Sequence, residues 1–211
     1  MIISHKKQRC FWKIPRTGST NIEVILRLTA GLDLSQDVVA ETTHFFQASA
    51  NLDSVPASPA GAPGTHRSHM TPQTALDLGL LTPAMLNAYQ HFCIVRDPID
   101  RFISMYHLAL PNYEWDVTKI IAENIAPTPG YATWRRQSDY LTVGNITTLP
   151  FSDYVNSANT IFAAFGAPIP DQLPNISRSH WRFEDVTKQQ ATAANIQEIS
   201  AYYADDMLLN F

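Results

Sequence analysis

The chain alternates short, wholly apolar runs with longer stretches in which apolar residues return every three or four positions. The first run, RCFWKI at residues 9–14, has the length and density of a buried strand and is stopped by Pro15. From Ser19 onward, Ile22, Ile25, Leu26 and Thr29 fall on one helical face, and Gly31 supplies the stop. A second apolar run, HFCIV at residues 91–95, predicts another buried strand, and Val38 to Phe46 could hold a further short one. Asp97 then offers a helix cap and Pro98 a first-turn residue. Ile99, Phe102, Ile103 and Tyr106 follow with the spacing of a core-facing stripe. Two short helices fit Pro72–Leu78 and Pro83–Tyr89, each with Thr at the cap, and longer ones fit Asp116–Asn124, Ser152–Phe165 and Thr187–Leu209. Strand followed by helix, twice over, predicts an α/β fold: a parallel sheet flanked by helices, with a largely helical C-terminal half.

Residues 47–65 break the pattern, being small, polar and rich in Pro and Gly, and read as an exposed loop rather than a linker. No internal repeat is found. The full chain of 211 residues therefore reads as one domain, well below the length at which single cores usually split.

Composition narrows the function classes. Hydrophobic residues make up 45% of the chain and charged residues 16%, enough apolar material for a proper core and too little charge for a disordered chain. Fifteen Lys and Arg against 19 Asp and Glu leave a net charge of −4, which argues against a nucleic-acid binder. No run of about 20 apolar residues is present, so no membrane span is expected. At the start, the charges follow the short apolar piece, the wrong order for a secretory signal. A cytoplasmic location is expected, although a trimmed lumenal domain would look the same. Cys10 and Cys93, each inside an apolar run, read as buried free thiols rather than a disulfide or a zinc site.

Two strand-to-helix junctions carry the candidate chemistry. At Lys13-Ile14-Pro15-Arg16-Thr17-Gly18-Ser19-Thr20 a strand gives way to a tight turn with one glycine, and hydroxyl residues open the helix. Such a junction presents open main-chain N–H groups and the positive end of the helix dipole, which together favour an anion. Arg16 adds a fork of donors, and Ser19 and Thr20 add hydroxyls. The segment is not a Walker A loop, and on its own it fits either an anion site or an ordinary capped turn. At the second junction Arg96 leaves the end of an apolar strand just as a helix starts, and in open parallel sheets ligands bind at the carboxyl ends of strands. Helix capping alone accounts for Asp97 and Pro98. Arg101 reads as a solvated or salt-bridging side chain.

These segments resemble a family. KIPRTGST is similar to the 5′-phosphosulfate loop of sulfotransferases that use 3′-phosphoadenosine 5′-phosphosulfate (PAPS). VRDPIDRFISMYH is similar to their 3′-phosphate motif, an Arg followed eight residues later by a Ser. Ser68-His69-Met70-Thr71 with the Gly79-Leu80 turn resembles the stretch before that motif in carbohydrate sulfotransferases, and the tail Ile199–Asp206 resembles their closing helix. The resemblance implies a P-loop-like sheet and PAPS as co-substrate. It places Arg16, Thr17, Gly18, Ser19 and Thr20 on the 5′-phosphosulfate, and Arg96 and Ser104 on the 3′-phosphate. The family more often carries Lys where Arg16 stands, and Arg differs in reach and geometry. Arg178, within Asn175-Ile176-Ser177-Arg178-Ser179, resembles part of a late loop that closes over the nucleotide.

The implied reaction must hold donor and acceptor in line and stabilise charge on the leaving phosphate, a task suited to Arg16 and the N–H groups of Gly18 to Thr20. No metal-ligand spacing occurs, so no metal is expected. A hydroxyl acceptor, of which a glycan is the first choice, needs a general base, and neutral imidazole suits neutral pH. Of seven histidines, His69 is preferred because it lies in the family-like segment, with His66 second and Glu41 still possible. Trp115, Tyr113, Trp134 and Tyr131 could line a sugar cleft beside Arg135 and Arg136, or simply pack the core. Asn145-Ile146-Thr147 and Asn175-Ile176-Ser177 match the glycosylation sequon but read as coincidence without a secretory signal. Two rivals remain: a P-loop-like nucleotide-binding phosphotransferase, which would lack the P-loop Lys and a clear magnesium carboxylate, and a non-catalytic nucleotide-binding module of the same fold.

Overall fold

A computed structural model of the chain describes residues 1–5, 7–29, 69–110, 114–126, 134–171, 173, 191–209 and 211. Its centre is a four-stranded sheet in the order β1 (Ile2–Ser4), β2 (Arg9–Trp12), β3 (Gln90–Val95) and β4 (Ile146–Pro150). The strands β2, β3 and β4 run parallel, as the strand–helix alternation predicts, while β1 adds an antiparallel edge with Ile3 opposite Cys10. The two apolar runs became the inner strands because both of their faces are covered. On one face Cys10, Trp12, Cys93 and Val95 pack with Met70, Ala75, Leu81 and Leu86. On the other, Phe11, Phe92 and Ile94 pack with Ile22, Ile25, Ala158, Ile161 and Phe162. Both cysteines are buried and neither is in a disulfide.

The first face is roofed by two short helices, α2 (Pro72–Asp77) and α3 (Pro83–Ala88). Thr71 and Thr82 cap them by accepting from the main-chain N–H groups of Thr74 and Met85. The second face is covered by α1 (Ser19–Thr29), which leaves the end of β2, and α6 (Tyr154–Phe165). Between them in sequence, α4 (Pro98–Ala109) leaves the end of β3, with the Asp97 carboxylate accepting from Ile99 and Asp100. The predicted helix at 116–124 is a short α5 (Val117–Ile120) that widens into a π-helical turn over Ile121–Ile125. The last helix, α7 (Ala193–Tyr202), begins at a Thr192–Asn195 capping box and is followed by a 3₁₀ turn at Asp206–Leu208. A third apolar cluster joins α4, α5 and α7 through Phe102, Met105, Ile120, Trp134, Ile199 and Tyr203.

The predicted strand at 38–46, the loop at 47–65 and the first part of the predicted 187–209 helix lie outside the described residues.

Candidate functional site

Because β2 and β3 pair in parallel with Trp12 opposite Cys93, the two strand-to-helix junctions open at the same edge of the sheet. The first junction folds into a tight turn by using its own hydroxyls. Thr17 Oγ1 and Ser19 Oγ both donate to the Ile14 carbonyl, at 2.8 and 3.0 Å. The hydroxyl protons of Thr17 and Ser19 are therefore spent on shaping the turn, and what these residues present outward is main chain. Thr20, one residue into α1, is exposed.

The turn is left-handed at two positions, Arg16 with φ 66° and Gly18 with φ 72°. Gly18 is demanded twice over, by this backbone conformation and by its neighbour. A Cβ there would lie 2.5 Å from the Tyr154 ring. Tyr154, at the start of α6, donates its hydroxyl to the Gly18 carbonyl at 2.8 Å. Burial pushes that phenol up to about 12, against an opposing contribution from Asn21, so the hydroxyl is a donor throughout the physiological range.

The structure brings Arg16, Arg96 and Ser104 together. Arg16 Nε donates to Ser104 Oγ at 2.9 Å, and Arg96 Nη1 donates to the Arg16 carbonyl at 3.1 Å. Both guanidiniums are only partly exposed, and among the described residues neither forms an ion pair with a carboxylate. Burial lowers the pKa of Arg16, and burial is also the largest cause for Arg96. There the charges of Arg16 and Arg101 add to the lowering, while Asp100 and Asp97 oppose it. Arginine stays cationic in proteins, so the result is positive charge held in a partly desolvated place. Arg96 Nε is buried and has no hydrogen-bond partner among the described residues, and the guanidinium rests 4.6 Å from the centre of the Phe151 ring.

His69 is held against the same junction. Its Nδ1 lies 2.7 Å from the Lys13 carbonyl. A carbonyl can only accept, so Nδ1 carries a hydrogen, and in the neutral ring the lone pair is on Nε2. Lys13 itself is buried and ion-paired with the buried Glu23, which fixes the strand end that orients the imidazole. Arg178, His66 and Glu41 lie outside the described residues, as do Tyr113 and Tyr131.

Arg101, read as solvated or salt-bridging, is salt-bridging and fully buried: its Nη1 lies 3.6 Å from Asp206 Oδ2 and its Nε donates to the Pro15 carbonyl at 3.1 Å. Core packing, one of the two readings left open for these aromatics, holds for Trp134, while Trp115 packs against the same cluster and stays half-buried. Both rings pack on Phe102, at 6.0 and 5.6 Å between centres, and Trp134 is 4% exposed. Sequence reasoning missed Tyr154, Gln137 and Asp206. Nothing local marks a tyrosine or a glutamine as the partner of a turn more than forty residues away.

A mainly parallel α/β sheet with two arginines at neighbouring strand ends, neither in an ion pair among the described residues, has the layout in which open α/β sheets take anionic ligands. The chain belongs to the sulfotransferase family, whose model matches residues 1–199. Among solved structures, a sulfotransferase from Alicyclobacillus acidocaldarius is 15% identical, with a TM-score of 0.44, over 94% of this chain and 92% of that chain. No curated protein sequence matches the chain. Among the described residues no helix is long and apolar enough to cross a membrane, and no three His, Cys, Asp or Glu side chains are grouped as metal ligands would be.

Proposed function

We propose that the chain transfers the sulfuryl group of PAPS to a hydroxyl of a carbohydrate acceptor, with His69 as general base and no divalent metal. The observation that carries this proposal is the meeting of Arg16 and Arg96 with no carboxylate ion-paired to either among the described residues. Two partly buried like charges in one place are stabilised by an anion that lies between or beside them.

In this reading the nucleotide spans the two junctions. Arg16 and the main-chain N–H groups of Gly18, Ser19 and Thr20 hold the 5′-phosphosulfate at the start of α1, and Arg96 holds the 3′-phosphate with Ser104. As the S–O bond to the 5′-phosphate breaks, negative charge grows on the bridging oxygen. Arg16 and the N–H groups stabilise that charge without reorganising. His69 Nε2 accepts the acceptor's hydroxyl proton, and the Lys13 carbonyl steadies the imidazolium that results. Arg178 would complete the nucleotide site from the late loop.

The test is a panel of glycan, phenol, lipid and tyrosine acceptors incubated with labelled PAPS, with Mg-ATP as competitor. Label transferred to a glycan hydroxyl, undiminished by Mg-ATP, supports the proposal. Transfer from ATP, or tight nucleotide binding with no transfer to any acceptor, contradicts it.

A further inference from the structure

Arg96 forms no ion pair with a carboxylate among the described residues, yet its main chain is fixed on both sides by one buried residue. Gln137 Oε1 accepts from the Arg96 N–H at 2.9 Å, and Gln137 Nε2 donates to the Arg96 carbonyl at 2.8 Å. The side-chain amide thus pairs with Arg96 as a neighbouring strand would, one residue past the end of β3. Gln137 is fully buried in an irregular segment and is itself held from the C-terminal end of the chain. Asp206 Oδ2 accepts from the Gln137 N–H at 2.8 Å, and Oδ1 accepts from the Ser138 N–H at 2.9 Å. Asp206 is fully buried and lies beside Arg101, which donates to the Pro15 carbonyl next to Arg16. One carboxylate therefore supports both junctions, by way of Gln137 to Arg96 and by way of Arg101 to the Arg16 turn.

We infer that Gln137 and Asp206 are positioning residues for the 3′-phosphate end of the donor, acting through the main chain of Arg96. Asp206 lies beyond residues 1–199, so this support comes from outside the part of the chain that matches the family. A buried ion pair gives weak net stability, because desolvation offsets most of the attraction; fixing geometry is the better-attested use of such groups. The inference rests on the donor assignment proposed above.

The experiment measures binding of adenosine 3′,5′-bisphosphate and adenosine 5′-phosphate to the full chain by calorimetry. It compares the unaltered protein with Gln137→Met, Arg96→Ala and the double variant. Gln137→Met removes both bonds to Arg96 at nearly constant volume. It should cut the preference for the bisphosphate about tenfold. The double variant should lose no more preference than Arg96→Ala alone. A purely structural Gln137 would lower the thermal midpoint and leave the preference intact; that result, or additive losses, overturns the inference. Hydrogen exchange of the unaltered protein followed by NMR gives an answer even if the variant does not fold. The Gln137 and Ser138 amides should be better protected with bisphosphate than with monophosphate, and equal protection overturns the inference. Failure of the unaltered protein to bind either nucleotide removes the donor assignment itself, and this inference with it.

Discussion

Arg96 donates to the main-chain carbonyl of Arg16 across 3.1 Å, joining two arginines 80 positions apart at the ends of neighbouring parallel strands. The contact follows from register: with Trp12 opposite Cys93, both chains leave the sheet at the same level, and each then turns into a helix. Neither arginine forms an ion pair with a carboxylate among the described residues.

If Arg96 holds the 3′-phosphate, Arg96→Ala removes a charge-assisted contact worth about 1.5–3 kcal/mol. Calorimetry should show weaker binding of adenosine 3′,5′-bisphosphate and almost unchanged binding of adenosine 5′-phosphate. Equal losses for both nucleotides would place Arg96 elsewhere on the ligand.

Gly18→Ala should destabilise the fold by about 1–3 kcal/mol, since alanine would sit in a left-handed conformation against the Tyr154 ring. Tyr154→Phe, which only loses the hydroxyl bonded to the Gly18 carbonyl, should cost about 0.5–1.5 kcal/mol. Urea unfolding measures both, and a Gly18→Ala variant as stable as the original would mean that the turn is not built as described.

His69→Ala should lower turnover by about 10²–10⁴-fold while donor binding is preserved. The acidic limb of the pH–rate profile, where a base takes up its proton, should vanish with it. Full activity in this variant would pass the role to another group, with His66→Ala the next substitution to make.

Stability should also depend on pH through His91, which takes no part in the site. Its Nδ1 accepts from Trp12 Nε1 at 3.1 Å and its Nε2 donates to the Leu86 carbonyl at 2.9 Å, so the folded ring is neutral. Burial lowers its pKa below the ordinary 6.5, against the opposing pull of the Leu86 carbonyl. The unfolded chain thus takes up a proton at a higher pH than the folded one. The stability due to the neutral ring is complete above the unfolded value and is lost as pH falls from there through the depressed folded value. Urea midpoints should begin to drop as pH falls through the ordinary value of 6.5, and His91→Gln should flatten that drop. An unchanged drop in the variant assigns it to other groups.

What the sequence showed and hid follows from burial. The strands β2 and β3 are covered on both faces, so every residue from Cys10 to Trp12 and from His91 to Val95 had to be compatible with the interior, and the runs stood out. The edge strands left no such mark. Ile2–Ser4 is only three residues long, and Ile146–Pro150 is half-buried, mixes Thr with Ile and Leu, and begins beside a sequon-like Asn145. In the site, the glycine turn and Arg96 were legible because local sequence builds them. The partners of Arg101 and Gln137 were not: Pro15, Arg96 and Asp206 are brought to them by tertiary folding, and a buried polar side chain looks like an exposed one until its partners are known.

The most direct test of the account is the turnover of Arg16 variants with PAPS and an acceptor found in the panel. If Arg16 stabilises charge on the departing 5′-phosphate, its contribution is greater in the transition state than in the bound donor. Arg16→Ala should then lower kcat by about 10²–10³-fold with a much smaller change in donor affinity. Arg16→Lys should recover most of the rate with no divalent metal added. A lysine variant as inactive as the alanine one, or activity that requires magnesium, would contradict the role given to this turn.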